Sequence, residues 1–396
     1  MSAPNQVAII GAARTPLGAF LGALKVVSAP ALGACAIEAA VMRAKIPVEM
    51  FDETIMGCVL SAGLGQAPAR QAALGAGLPQ TIGCTTINKM CGSGMKAIML
   101  AHDALRAGSA RAVLAGGMES MSNAPYLLDR ARIGYRMGHR KIIDHMFLDG
   151  LEDAYDKGRL MGCFAEDCAT SYQFTRAMQD EYALASLMRA RRAIADGSFD
   201  AEITPVRTSV SMAERMITRD EEPEKAKPDE ISRLKPAFKS DGSITAANAS
   251  SISDGAAALA LTTLEACERL ALTPLAWIPG CATYAGAPGD FPTAPIGAIA
   301  KLLQRVGWTT KDVDLFEINE AFAVIVLAAM HDLDLPHDKV NVHGGACALG
   351  HPIGASGARI VVTLIAALRR YGLRRGVAAL CIGGGEATAI AIERES

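Results

Sequence analysis

Short apolar runs alternate with helix-length stretches along most of this 396-residue chain, and that alternation restricts the fold more than any other feature. Val7–Ile10, Thr54–Leu60, Ile82–Ile87 and Ala112–Ala115 read as strands. Between them, Leu32–Arg43, Ala67–Gly75 and the stretch after Cys91 place apolar residues at helical spacing, the last ending at Gly108. Strands and helices that alternate through short links imply α/β layers. The series returns late in the chain. Pro295–Val306, Ala321–Met330 and Ala358–Arg370 read as helices. Val313–Ile318, Lys339–Val342 and Val377–Ile382 read as strands, with Val377–Ile382 the last. Ala112–Glu119 also echoes Ala379–Glu386: each is an apolar strand closing on glycines and then Glu. The echo predicts two similar α/β halves. From Ser122 to about Ala237 the chain is more polar, with Arg130, Arg132, Arg136, His139, Arg140 and Lys141 close together. A mixed-charge helix follows at Gln179–Ala195, then the charged run Asp220–Pro228, which reads as a solvated loop. The expected organisation is an N-terminal half over 1–121, completed by about 240–275. An inserted loop domain covers 122–239, and a C-terminal half covers 276–396.

Charge narrows the function classes. Lys and Arg total 39 against 41 Asp and Glu, so nucleic acid is not an expected partner. No apolar run reaches the roughly 18 residues of a spanning helix, so no membrane partner is expected. Met1–Gln6 is polar and leads straight into a strand, which does not read as a signal peptide. The ten Cys are scattered with no C-x-x-C pair; they read as reduced thiols in a cytoplasmic protein. Cys163 and Cys168 lack a second pair or a nearby His, so they read as packing residues and no metal site is expected.

Several stretches can carry chemistry. In Asn88-Lys-Met-Cys91-Gly-Ser-Gly94, Cys91 sits where a strand turns into a helix. Free helical amides and the positive helix end favour a thiolate there. The other reading is a buried Cys at a tight turn. His351 lies among glycines, and Pro352 holds it out of helical geometry; it is a base or donor, or a loop His satisfied by backbone bonds. Cys381 precedes Gly383-Gly384-Gly385, whose amides can bind an oxyanion; alternatively it is a buried strand Cys. Asn319 lies at a strand-to-helix junction, where it is a site residue or a helix cap. Asn248–Gly255 is rich in small residues that line a narrow channel or form a tight turn.

Together these stretches resemble the thiolase family over nearly the full length. The match runs from Arg14-Thr-Pro through Asn88–Gly94 and Gly117-Met-Glu-Ser-Met to Ala249-Ser and Asp254-Gly-Ala-Ala. It continues through Asn319-Glu-Ala-Phe and Gly350-His-Pro-Ile-Gly to Cys381-Ile-Gly-Gly-Gly. The resemblance implies a five-layered α-β-α-β-α fold with an inserted, CoA-binding loop domain. It also implies reversible thioester Claisen condensation: two acetyl-CoA give acetoacetyl-CoA and CoA. By that resemblance Cys91 carries the acyl group. His351 takes the Cys91 proton, and Cys381 removes an α-proton from the second acyl-CoA. Asn319, through a water, completes an oxyanion site with His351, while the amides of Cys91 and Gly383 form the other. Ser250, Ala246, Phe238 and Phe322 line the pantetheine arm, Leu151 and Met161 sit near the acyl end, and Phe291 closes that pocket. The resemblance further implies acyl-CoA and CoA as substrates, no cofactor, and a homotetramer built as a dimer of dimers, with about Pro125–Met146 in its contacts.

Three positions depart from the pattern. Leu160-Met161-Gly162 stands where many acetoacetyl-CoA-forming thiolases carry His-Met-Gly. The acidic loop lacks an Arg after Asp220-Glu221, which leaves Lys225, Lys227 or another basic residue to hold the CoA nucleotide. His343 replaces an Asn common in biosynthetic members. The alternatives are a degradative 3-ketoacyl-CoA thiolase with a longer acyl pocket and, more distantly, a non-catalytic acyl-CoA or lipid binder.

Overall fold

The computed structural model describes residues 6–210 and 213–395. Nine strands form the main hydrogen-bonded path. They are β1 (Val7–Arg14), β2 (Glu53–Gly57), β3 (Gly83–Ile87), β4 (Ala112–Ser120) and β5 (Ser253–Thr263). The later four are β6 (Ala276–Ala285), β7 (Leu315–Ile318), β8 (Arg375–Ile382) and β9 (Glu386–Glu393). Their order is β7-β8-β9-β6-β1-β5-β4-β2-β3, and the short strand Gly18–Ala19 pairs with β5 off the path. Residues 121–252 leave the sheet between β4 and β5, yet these two strands are antiparallel neighbours from Asp254↔Ser120 to Thr262↔Ala112.

The strand order shows the two halves. In the first, β2 lies parallel to β4, which is followed by antiparallel β5 and β1. In the second, β7 lies parallel to β8, followed by antiparallel β9 and β6. The halves also join each other, because β1 pairs with β6 through Ala8↔Trp277. Two of the expected strand assignments change. Lys339–Val342 is not a strand: its only pairing is a parallel bridge, Phe316↔Val340. Asn341 has φ +48° and turns its amide onto the main chain of Ile318 at 2.8 Å, which ends any extended run. The second half thus keeps a single bridge where the first half has β3. In addition, β9 follows Val377–Ile382, so that segment is not the last strand. Its Ala-rich sequence, Glu-Ala-Thr-Ala-Ile-Ala-Ile-Glu, is extended because β8 and β6 flank it.

Helices fill three layers. The helices α1 (Ala29–Ala44) and α2 (Pro68–Gly75) pack with the outer face of the first half in one apolar cluster. Ser28 caps α1 through the Ala31 amide, with Pro30 in its first turn. The helices α3 (Ser93–Arg106), α4 (Met161–Ser171), α5 (Arg176–Ala195), α6 (Ala294–Val306), α7 (Ala323–Leu333) and α8 (Ser356–Arg370) follow. Of these, α6 and α7 cover the outer face of the second half. The central layer is α3 and α8, whose Ile98, Met95, Ile360 and Leu364 share one buried cluster with side chains from both halves. The result is α-β-α-β-α. The two central helices touch backbone to backbone. A Cβ on Gly94 would lie 2.8 Å from Ala358 N, and one on Gly357 would lie 2.5 Å from Met95 N. That approach sets the N-terminus of α3, and hence Cys91, beside the N-terminus of α8.

The charged run at 220–228 is not simply a solvated loop. Asp220 is fully buried and accepts both Arg14 terminal nitrogens, at 2.7 and 2.9 Å, together with the Leu17 amide. Glu221 accepts the amides of Ala19 and Ala23, both at 2.9 Å. A buried Arg needs carboxylates close by, and this loop supplies one to Arg14. Among the described residues, no helix is long and apolar enough to cross a membrane.

Candidate active site

Cys91 lies in the tight turn that joins β3 to α3. Asn88 Oδ1 accepts the Met90 amide at 2.9 Å, and Met90 adopts φ +49°. Ser93 Oγ accepts the Lys89 amide at 2.8 Å and donates to Met90 O at 2.6 Å. The turn is thereby closed from both ends, with Cys91 at its rim. Lys89 pairs with Glu386 across the mouth of the β8–β9 turn. That turn, Gly383-Gly384-Gly385, uses φ +93° and +84° at its last two glycines. Cys381, at the end of β8, is buried. Cys91 and Cys381 line the same cavity, and a charge on Cys91 acts on the Cys381 thiol.

His351 comes from the loop before α8. Its amide donates to Ser251 O at 3.0 Å, and Gly350 precedes it at φ +103°, where a Cβ would strike Ser253 Oγ. The imidazole Nδ1 lies 2.5 Å from Ser356 Oγ. Ser356 Oγ itself donates to Pro352 O at 3.0 Å. A hydroxyl has one proton, so Ser356 must accept from His351. His351 therefore carries its proton on Nδ1 and leaves Nε2 as an open acceptor. Asn319 Nδ2 lies 3.5 Å from that Nε2. Asn319 does not cap a helix: α7 starts at Ala323, with Phe322 at its cap position.

One cavity of about 850 Å³ connects these groups. Cys91, His351, Cys381 and Gly383 line it, as do Ser250, Ala246, Phe238, Phe322, Leu151, Met161 and Phe291. Asn319 sits just behind the wall, in contact with His351. Phe238 meets Phe322 edge to face with centroids 6.0 Å apart, and Phe291 meets Phe164 at 6.1 Å. Gly162 is required here, because a Cβ would fall 2.2 Å from the Phe238 ring. Leu160 also lines the cavity, so the position that departs from the pattern is on its wall.

Sequence reasoning missed other wall residues. His145, whose Nδ1 donates to Asp149 Oδ2 at 2.6 Å, Tyr155 and Ile353 line the same cavity. No motif marks His145 or Tyr155, whose local patterns are ordinary, while Ile353 belongs to the Gly350-His-Pro-Ile-Gly stretch without having been singled out. It also missed Glu320, a buried carboxylate that accepts Tyr182, Ser186, Asn341 and the Cys347 amide between 2.7 and 3.0 Å. Glu320 holds the turn that presents Asn319. The two basic residues named for the nucleotide sit in ion pairs outside this cavity. Lys225 pairs with Glu221 and Lys227 with Glu230, and neither lines the cavity. His343 is buried, bonded to the Tyr371 hydroxyl at 3.2 Å, and also off the cavity.

The protonation states differ from the expectation at Cys91. Burial pushes its thiol up to about 11, against the pull of the Gly383 amide and its own. The helix end alone does not win, because an apolar cavity disfavours an anion more than two amides favour it. Burial raises Cys381 further, and the neighbouring Cys91 adds to that. Burial lowers His351 to about 3, and Arg359 contributes. The unloaded site therefore holds two thiols and a neutral imidazole at neutral pH.

Comparison with known proteins agrees with this geometry. The thiolase N-terminal domain model matches residues 7–265, and the thiolase C-terminal domain model matches residues 272–394. The chain belongs to the thiolase family. An acetyl-CoA acetyltransferase from Cupriavidus necator is 47% identical over 99% of this thiolase and all of its own length. The crystal structure of a Bacillus anthracis acetyl-CoA acetyltransferase superposes with a TM-score of 0.96 at 42% identity, over 99% of this chain and 100% of its own. The Acat5 thiolase from Ascaris suum, in complex with coenzyme A, gives 0.93 at 43% identity, over 98% and 100%.

Proposed function

We propose that this thiolase is an acetyl-CoA C-acetyltransferase that joins two acetyl-CoA into acetoacetyl-CoA and CoA, and runs in reverse. One observation carries the reading: Cys91, Cys381 and the open Nε2 of His351 converge on a single cavity large enough for a thioester and its pantetheine arm. The names of the relatives support the acyl group; the shared cavity supports the chemistry.

The resting groups are neutral, so the cycle must balance from that state. As Cys91 sulfur attacks the thioester carbon, its proton moves to His351 Nε2. The oxyanion forms between the Cys91 and Gly383 amides, both of which already act on that sulfur. The C–S bond to CoA then breaks. The leaving CoA thiolate takes the Cys381 proton, which leaves a Cys381 thiolate beside the His351 cation. A buried thiolate of high proton affinity is a strong base, suited to the weakly acidic α-proton of the second acetyl-CoA. The enolate oxygen is held by His351 Nε2–H and, through a water, by Asn319. The enolate carbon attacks the acetyl carbon on Cys91, and Cys91 leaves with the proton from His351. Both thiols and the neutral imidazole are restored.

Phe238, Phe322, Ala246 and Ser250 would hold the pantetheine arm, with Leu151, Met161 and Phe291 around the acyl group. The inserted segment 122–239 would supply much of that wall. We further propose a homotetramer, supported by the exposed Tyr126, Leu128, Ile133, Met137 and Ile142 on that segment. For compartment we propose the cytoplasm, where the ten free thiols would stay reduced.

The decisive experiment is Cys381→Ala. This variant should exchange acetyl groups between acetyl-CoA and labelled CoA through Cys91, yet form no acetoacetyl-CoA. Condensation at the parent rate would remove Cys381 from the base role. A strong preference of the parent for long 3-ketoacyl-CoA esters would favour the degradative reading instead.

A further inference from the structure

Arg359 is among the largest fully buried side chains, and its three guanidinium nitrogens have no hydrogen-bond partner. It lies on α8 one turn beyond Ser356, the residue that fixes the His351 proton. Its closest carboxylate is Glu317, with Nη1 at 3.7 Å from Oε2. Glu317 is on β7, two residues before Asn319, and its Oε1 is also unpartnered. Two other carboxylates act on Arg359 from farther away: Glu202, bonded to Arg14 and Thr363, and Glu320, bonded to Tyr182, Ser186, Asn341 and the Cys347 amide.

Burial raises the Glu317 carboxyl to about 8 against the pull of the Arg359 charge, and a buried pair without a hydrogen bond is a poor way to gain stability. Desolvation of the two charges costs about as much as their attraction returns, and an apolar pair of the same volume would often do better. The pair does, however, span two elements that the proposed second oxyanion site needs in register. The helix α8 carries the anchor of His351, and β7 runs straight into Asn319. Leu315 of β7 already packs in the cluster that holds Ile360 and Leu364 of α8, and just beyond the ends of these elements Asn319 and His351 meet only through a long 3.5 Å contact. Attraction between unlike charges is stronger in a low-dielectric interior than in water, so the pair draws α8 and β7 together.

We propose that Arg359 and Glu317 are a positioning pair that sets the separation of His351 Nε2 and Asn319 Nδ2, so that His351 directly and Asn319 through a water reach the enolate oxygen of the second acetyl-CoA. This rests on the reading under Proposed function, and the pair does not touch substrate. The pair serves condensation and not acylation of Cys91, because Asn319 enters only in the second half-reaction.

The test compares the two half-reactions at about pH 9, where the Glu317 carboxyl is ionised, in Glu317→Gln, which keeps shape and removes the charge. Acetyl exchange between acetyl-CoA and labelled CoA should stay within roughly threefold of the parent, because Ser356 still orients His351. Acetoacetyl-CoA formation should fall by about ten- to hundredfold, the order expected when a catalytic donor shifts by about 1 Å. Arg359→Lys should keep most of the condensation rate, because the contact depends on charge and makes no hydrogen bond. Equal losses in both half-reactions, or no loss in either, would overturn the proposal. If Glu317→Gln does not fold, Glu317→Asp keeps the charge, shortens the reach and is read by the same split. If the parent itself exchanges no acetyl group, the failure lies with the proposed activity and not with the pair.

Discussion

Cys91→Ser should remove a sulfur without removing any measurable thiolate at neutral pH. An ordinary cysteine of pKa near 8.5 is about 3% ionised at pH 7. With burial pushing Cys91 up to about 11, the ionised share falls to about one part in ten thousand. His351 cannot reverse this by becoming a cation, because burial lowers it to about 3. A raised thiol is neutral below its pKa and a lowered imidazole is neutral above its own, so from about pH 4 to pH 10 both are uncharged. The measurement is the ultraviolet absorbance of the thiolate, taken as parent minus Cys91→Ser. The subtraction cancels the other nine cysteines. The difference should be null at pH 7 and rise only near pH 10 and above. A full thiolate signal at pH 7 would mean a preformed ion pair of Cys91 with His351, and would refute the neutral starting point of the cycle. Acylation would then owe its speed to a standing nucleophile and not to proton transfer during attack.

Ser356→Ala frees His351 to place its proton on Nε2, where it blocks acceptance from Cys91. We expect a fall in kcat of about a hundredfold with little change in KM, and a stability loss of about 1 kcal/mol. An unchanged kcat would show that the hydroxyl does not set the tautomer. For assembly, light scattering at micromolar protein should give four times the chain mass of 41.4 kDa, and a stable monomer would count against the tetramer.

The elements are local and were legible from the chain. Periodic apolar spacing marks α1, α3, α6 and α8, and unbroken apolar runs mark β1, β4 and β8, because those strands are buried on both faces. The echo between Ala112–Glu119 and Ala379–Glu386 points to β4 and β8, which occupy matching places in the two halves. Misreadings fall where neighbours override local preference. Ala-rich β9 is a strand because it completes a ladder, and Lys339–Val342 is not because Asn341 turns the chain.

The sequence by itself determined the two halves, the glycine-bounded turns and the identity of the reactive side chains, since these depend on backbone preference and side-chain chemistry over a few residues. Tertiary structure alone decided that residues 91, 351 and 381 meet, that Asp220 serves Arg14, and which proton each site group holds. Those depend on what surrounds a group in space, and desolvation acts through neighbours that lie hundreds of residues away along the chain.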